Sequence, residues 1–156
     1  MEIRILETSE ALGKSAARHV AQVLRECIAK QGSARMVLST GASQFDTLKA
    51  LVQEAGIDWG KVEMFHLDER CRKQQLGEGW FPTLDDVPRQ AVSMTPRQIM
   101  QCRRIVSCVP YAVKKEAVEK TVKATETTPL IPATLLKTHP DFILYLDRDS
   151  AEGILK

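Results

Sequence analysis

The sequence predicts an α/β fold: a doubly wound, mainly parallel Rossmann-like sheet with helices on both faces, in a single domain over residues 1–156. Three observations lead there. Short β-leaning runs alternate with helical patterns from the first residues onward, and a β-α-β-α-β order needs crossover connections between parallel strands. Met36-Val37-Leu38-Ser39 stops at Thr40-Gly41-Ala42-Ser43, and a helical pattern (Phe45, Leu48, Leu51, Val52) begins at once, as where a parallel strand feeds a crossover helix. The length of 156 residues, with 44% hydrophobic and 27% charged side chains, suits one globular domain with a real core.

The elements follow in order. Glu2 to Leu6 alternates as a first strand, and Thr8-Ser9-Glu10 offers caps for a long helix. Leu12, Ala16, His19, Val20, Val23, Leu24, Cys27 and Ile28 recur at helical spacing until Gln31-Gly32 stops the pattern. His19 is expected to pack there rather than to catalyse, because no acid or second ligand lies near it in sequence. Arg35 to Ser39 is a second strand, followed by a helix to about Glu54, and Lys61 to Leu67 is a third. Arg70 to Pro82 has no period and reads as a loop or short helix, Thr83 to Pro88 as a capped turn, and Ala91 to Met94 as a brief strand. Thr95-Pro96 starts a helix to Cys102. Ile105 to Val109 is a buried strand, and Pro110-Tyr111-Ala112 opens a helix to about Ala124. Ala133 to Leu136 is a short helix, Phe142 to Leu146 a last strand, and Asp147 to Leu155 a terminal turn or helix.

Composition excludes several classes. A net charge of +2 is too small to argue for nucleic acid or an anionic membrane as partner. The four cysteines (Cys27, Cys71, Cys102, Cys108) form no Cys-x-x-Cys pair and have no histidine at ligand spacing, so no metal site is implied. Cys27 and Cys108 fall in apolar patterns and read as buried reduced thiols. No run approaches the roughly 18 apolar residues of a membrane span, and the charged N-terminus does not read as a signal peptide. A cytoplasmic protein is expected.

In a doubly wound sheet, ligands sit beyond the carboxyl ends of the strands. The turn at Thr40, Gly41, Ala42 and Ser43 lies at one such end. It aims backbone N–H groups and the positive end of a helix at one point, which suits phosphate. The plainer reading is a strand–helix turn with Ser43 or Thr40 as an N-cap. Asp68-Glu69 stands at the end of the third strand, so a carboxylate pair and an anion turn share a crevice if those strands are neighbours. The plainer reading there is a solvated strand end that caps the next helix.

The same residues resemble a known family. Ser39-Thr40-Gly41-Ala42-Ser43 and Phe65-His66-Leu67-Asp68-Glu69 are similar to the sugar-phosphate loop and the Asp-Glu strand end of glucosamine-6-phosphate deaminases (isomerases) and, more distantly, of 6-phosphogluconolactonases. Gly77-Glu78-Gly79-Trp80-Phe81, Asp86-Val87-Pro88, Ala91-Val92-Ser93-Met94-Thr95, Ile99-Met100, Val109 to Lys114, Pro132-Ala133 and Leu136 to Pro140 follow as in the deaminase branch. The resemblance also exposes a gap: the family's middle section, with its Gly-His and Ala-Phe-Asn motifs, has no counterpart, so the domain is internally shortened. Leu67-Asp68-Glu69 aligns with either end of that section, and none of His19, His66 and His139 stands in the family histidine's context.

The resemblance implies a reaction in which an amino-sugar phosphate ring opens, a proton moves between C2 and C1, and ammonia leaves to give a ketose phosphate. It implies that Thr40, Gly41, Ala42 and Ser43 cradle the phosphate, that Lys114 adds a charge to it, and that Asp68, with Glu69 beside it, shuttles the proton. It implies no cofactor, a small-molecule sugar phosphate as ligand, and a homo-oligomer. Ala42 stands where the family more often has glycine, and Lys114 also reads as one of several solvated lysines with Lys115, Lys120 and Lys123. Three outcomes remain open: a deaminase impaired by the lost histidine and acids, a non-catalytic sugar-phosphate binder of the same fold, and a 6-phosphogluconolactonase-like hydrolase. The Ser93-Met94-Thr95 and Gly79-Trp80-Phe81 segments argue against the last.

Overall fold

The computed structural model of the chain describes residues 1–39, 41–67, 83 and 93–155. Helix α1 (Ser9–Gln31) is bounded as its sequence requires. The Thr8 hydroxyl accepts from the Ala11 amide at its start, and Gly32, at φ 81°, closes it with an N–H returned to the Ile28 carbonyl. A side chain at that left-handed position would be strained, which is why the helix stops at a glycine.

Strands β1 (Glu2–Leu6), β4 (Ile105–Val109) and β5 (Phe142–Asp147) form a parallel sheet in the order β1-β5-β4, with Ile143 opposite both Glu2 and Val106. Strand β5 is central and buried along its whole length. Its alternation serves two cores. Ile143 and Tyr145 point to α1, where they meet Leu12, Ala16 and Cys108. Phe142, Leu144 and Leu146 point the other way, to Val118 of α4 (Lys115–Lys123), Ala151 of α5 (Arg148–Ala151) and Leu136. Both faces carry helices, which is what a near-continuous apolar strand demands, and the doubly wound α/β architecture is as expected.

Strands β2 (Ala34–Leu38) and β3 (Val62–His66) form a second parallel pair, with Leu38 opposite His66. Ala17, Ala21 and Leu24, farther along α1, pack on this pair together with Leu51 of α2 (Phe45–Leu51) and Ile57. No ladder joins β2 to β4 among the described residues. Helix α1 spans both sheets instead, with one end of its apolar stripe on β5 and the other on β2.

Several boundaries shift for local reasons. Helix α2 ends at Leu51 rather than near Glu54, because Arg25 of α1 donates twice to the Ala55 carbonyl and pairs with Glu54, drawing the chain off the helical path. The helix at Thr95-Pro96 has the full capping box with Gln98 but runs only over Pro96–Ile99 as α3 before loosening into turns. The short helix expected at 133–136 is a 3-10 helix over Pro132–Thr138. Lys137, on that helix, donates to the carbonyls of Thr121, Val122 and Ala124 and so closes the end of α4. The loop read at 70–82 lies outside the described residues, as do 91 and 92 of the strand read at 91–94.

Strand β3 is largely exposed: Met64 is 58% and Phe65 47% accessible, and Phe45 and Val52 are more so. Apolar surface of this kind favours association. Light scattering is expected to give a mass at or above twice that of the monomer, and a single stable monomer at high concentration would contradict this.

Candidate functional site

At the carboxyl end of β2, Gly41 is extended (φ −62°, ψ 155°) and leads into a 3-10 turn over Ala42–Gln44, which α2 continues. Among the described residues no side chain caps either piece. The expected Ser43 cap is absent because the Ser43 hydroxyl accepts instead from Gln44 Nε2 at 3.1 Å. The same nitrogen donates to the Cys108 carbonyl at 3.0 Å, tying the turn after β2 to the end of β4. Thr40, the other capping candidate, lies outside the described residues. Among the described residues, the turn's first backbone N–H groups have no side-chain acceptor, the condition an anion exploits.

Helix α1 supports this turn from below. A Cβ on Gly13 would sit 2.7 Å from the Asp46 carbonyl carbon and 2.9 Å from the Thr47 nitrogen. The two backbones touch, and only glycine fits between them.

The turn after β4 forms the opposite wall. The Tyr111 amide donates to Asp147 Oδ2 at 2.8 Å, and its hydroxyl lies 3.5 Å from Asp46 Oδ2. The other Asp147 oxygen accepts from the Ser150 amide at 2.8 Å, so one buried carboxylate holds the ends of β4 and β5 together. Lys114 follows on a second 3-10 turn, exposed and without an ion pair among the described residues. Cys108, beneath this wall, is buried; desolvation pushes its thiol up to about 11, which keeps it protonated and unreactive.

Tyr111 has φ 79° and ψ 143°, and is the sole non-glycine residue with positive φ among those described. Such backbone costs on the order of 1–3 kcal/mol for a residue with a side chain. Tyr111→Gly is expected to raise stability by about 1 kcal/mol, read as a higher midpoint in urea. An unchanged or lower midpoint would mean that the tyrosine ring compensates for its own backbone.

Strand β3 ends beside β2, because Leu38 pairs with His66 and the Leu67 amide donates to the Leu38 carbonyl. The Met94 amide in turn donates to the Leu67 carbonyl. The two strands are neighbours, as the shared-crevice argument required, although Asp68 and Glu69 themselves lie outside the described residues. Gly41, Ala42, Ser43 and Lys114 thus stand on two turns that the Gln44 and Tyr111 bonds bring together. Sequence reasoning missed Gln44, Tyr111 and Asp147. Only Asp147 carried a readable signal, as an N-cap aspartate three residues before Ser150.

The histidines divide. His139 is buried, with Nε2 donating to the Cys102 carbonyl and Nδ1 accepting from the Asp141 amide, so both ring nitrogens hold the fold. His19 lies on α1 between Tyr145 and Arg104. His66 alone stands at a carboxyl end. Among the described residues no three His, Cys, Asp or Glu converge as for a metal, and no helix is long and apolar enough to cross a membrane.

Residues 7–78 match the family described as glucosamine-6-phosphate isomerases/6-phosphogluconolactonase. A glucosamine-6-phosphate deaminase of Staphylococcus epidermidis (strain ATCC 35984) is 41% identical over 103 residues, covering 65% of this chain and 41% of that protein. A glucosamine-6-phosphate deaminase of Shouchella clausii is 34% identical over 91 residues, covering 58% of this chain and 36% of that protein. The chain thus spans well under half the length of these relatives. Among solved structures, a monomeric glucosamine-6-phosphate deaminase aligns with a TM-score of 0.81 at 18% identity, over 98% of this chain and 100% of that one. A putative 6-phosphogluconolactonase from Neisseria gonorrhoeae FA 1090 aligns with a TM-score of 0.69 at 14% identity, over 94% and 98% of the two chains. At those identities the structures speak for the fold alone. Over residues 7–78 the chain is similar to the family of glucosamine-6-phosphate isomerases/6-phosphogluconolactonase.

Proposed function

We propose that the crevice at the ends of β2 and β4 binds an amino-sugar phosphate, and that deaminase turnover is impaired. The observation that supports binding is the uncapped turn at Ala42–Gln44, held against the β4 end by the Gln44 bond to the Cys108 carbonyl. Its backbone amides and Gly41 would meet the phosphate oxygens, with the Ser43 hydroxyl and Lys114 adding a donor and a charge. Asp68 would serve as the C2 proton shuttle, with Glu69 beside it.

Impairment follows from what ring opening needs. A histidine held by acids must stand within reach of the sugar. His139 has both nitrogens committed to backbone and His19 sits near the amino ends of the strands, so neither can serve. A second reading, residual turnover, is favoured by one observation: His66 closes β3 two residues before Asp68. In that reading His66→Gln abolishes ammonia release.

Calorimetric titration with glucosamine-6-phosphate tests the binding claim. Lys114→Ala is expected to weaken it about tenfold, or about 1.4 kcal/mol. Equal affinity in wild type and Lys114→Ala would remove Lys114 from the site, and no binding by either would remove the proposal.

A further inference from the structure

A second polar cleft lies far from this crevice. It has a volume of about 410 Å³ and is lined by Arg4, Ser15, Arg18, His19, Gln22 and Arg104. Arg104 stands one residue before β4, and its partner Asp141 one residue before β5. The cleft thus opens beside α1 toward the amino ends of the strands, opposite the phosphate turn.

Its arginines are fixed through one relay. Arg104 Nη1 approaches His19 Nε2 at 3.1 Å, and an arginine can only donate, so Nε2 accepts. His19 Nδ1 then carries the proton and donates to the Tyr145 hydroxyl at 3.0 Å, which also accepts from Arg4 Nη1 at 2.8 Å. Arg4 stacks over the Tyr145 ring, 5.5 Å from its centre. Two guanidinium groups are held at set places before any ligand arrives.

The charges do not cancel. Glu2 pairs with Arg4 and Asp141 with Arg104, but the Arg18 guanidinium bonds only the Lys14 carbonyl among the described residues. Three guanidiniums face two carboxylates, and the burial of His19, with Arg104 and Arg4 beside it, holds its imidazole below the ordinary histidine range and neutral. Packing alone gives no reason to gather three forks of one sign around a neutral imidazole. Guanidinium forks match phosphate oxygens. The volume is near the low end for small-molecule sites, larger than one phosphate requires, and the lining is polar, its one aromatic ring, His19, having both nitrogens engaged by Arg104 and Tyr145.

We propose that this cleft is a separate anion site for a small phosphate-bearing molecule, a polyphosphate or a phosphorylated polyol rather than a nucleotide. An incoming phosphate engages Arg18, the free edge of Arg4, and Arg104, whose Nη1 turns from His19 Nε2 to the phosphate so that Nε2 takes a proton. Glu2, Asp141 and the three arginines are the charged groups around that ring, and the anion offsets the arginines.

Nuclear magnetic resonance titration of the full chain with pyrophosphate tests this. Saturable shifts are expected at the amides of Ser15 to Gln22 and Arg104, with the His19 ring titrating at higher pH in the complex. Arg18→Gln and Arg104→Gln should each weaken that response at least tenfold, and Lys114→Ala should leave it unchanged. Adenosine monophosphate should bind no tighter than a simple phosphate ester. No saturable response at millimolar pyrophosphate, a response that survives both arginine changes, or one lost in Lys114→Ala would each overturn the proposal. Arg18 is exposed and holds no core contact, so Arg18→Gln decides the matter even if Arg104→Gln fails to fold.

Discussion

Gly13→Ala is expected to lower stability by about 2–3 kcal/mol. The sign is what makes it informative. In a helix interior the same exchange ordinarily stabilises by about 1 kcal/mol. Here the new methyl meets backbone rather than a mobile side chain, 2.7 Å from the Asp46 carbonyl carbon and 2.8 Å from its oxygen. Backbone in the first turn of α2 can yield only by moving the turn at Ala42–Gln44 with it, so sugar-phosphate affinity should fall as well. Gly60→Ala is the matched control, since its added Cβ would meet only an Asp58 carboxylate oxygen at 3.4 Å. Urea unfolding of both variants checks the claim: a Gly13→Ala midpoint no lower than that of Gly60→Ala would mean that α1 does not support the turn.

Asp147→Ala should cost about 2–3 kcal/mol, because it leaves the Tyr111 and Ser150 amides without their shared acceptor. Asp147 is buried, so water does not readily take its place. Asp147→Asn keeps one acceptor oxygen and should fall between wild type and the alanine variant. The loss is expected to appear at the β4 end first, as faster amide exchange at Tyr111. Alanine and asparagine variants that unfold with the wild-type midpoint would show that the clamp contributes nothing.

The backbone plan was legible because it rests on local signals. Thr8 and Gly32 bracket α1 by capping chemistry alone, and the apolar runs at 105–109 and 142–146 are β5 and its neighbour almost to the residue. What the sequence could not convey were bonds made across long separations. Gln44 reaches Cys108 and Asp147 reaches Tyr111, and neither partner is marked by spacing or residue type. Tyr111 conceals its conformation for the opposite reason: a positive φ is normally announced by glycine, and here a tyrosine adopts it. Of the two residues in the plainer capping alternative, Ser43 does not cap the turn, and the neighbouring Gln44 amide donates to its hydroxyl. The place of His19 among three arginines depends on β1 and the approach to β4 folding onto one face of α1, which no local pattern announces.

The central claim is retained sugar-phosphate binding with impaired turnover, and one sample can test both halves. Purified protein of verified intact mass is mixed with glucosamine-6-phosphate, with heat of binding and released ammonia followed together. The account predicts saturable binding, weakened by Lys114→Ala, with ammonia release orders of magnitude below an enzymatic rate. Ammonia released at an enzymatic rate and abolished by Asp68→Asn would contradict it, and would mean that the chain completes its catalytic set from residues such as His66.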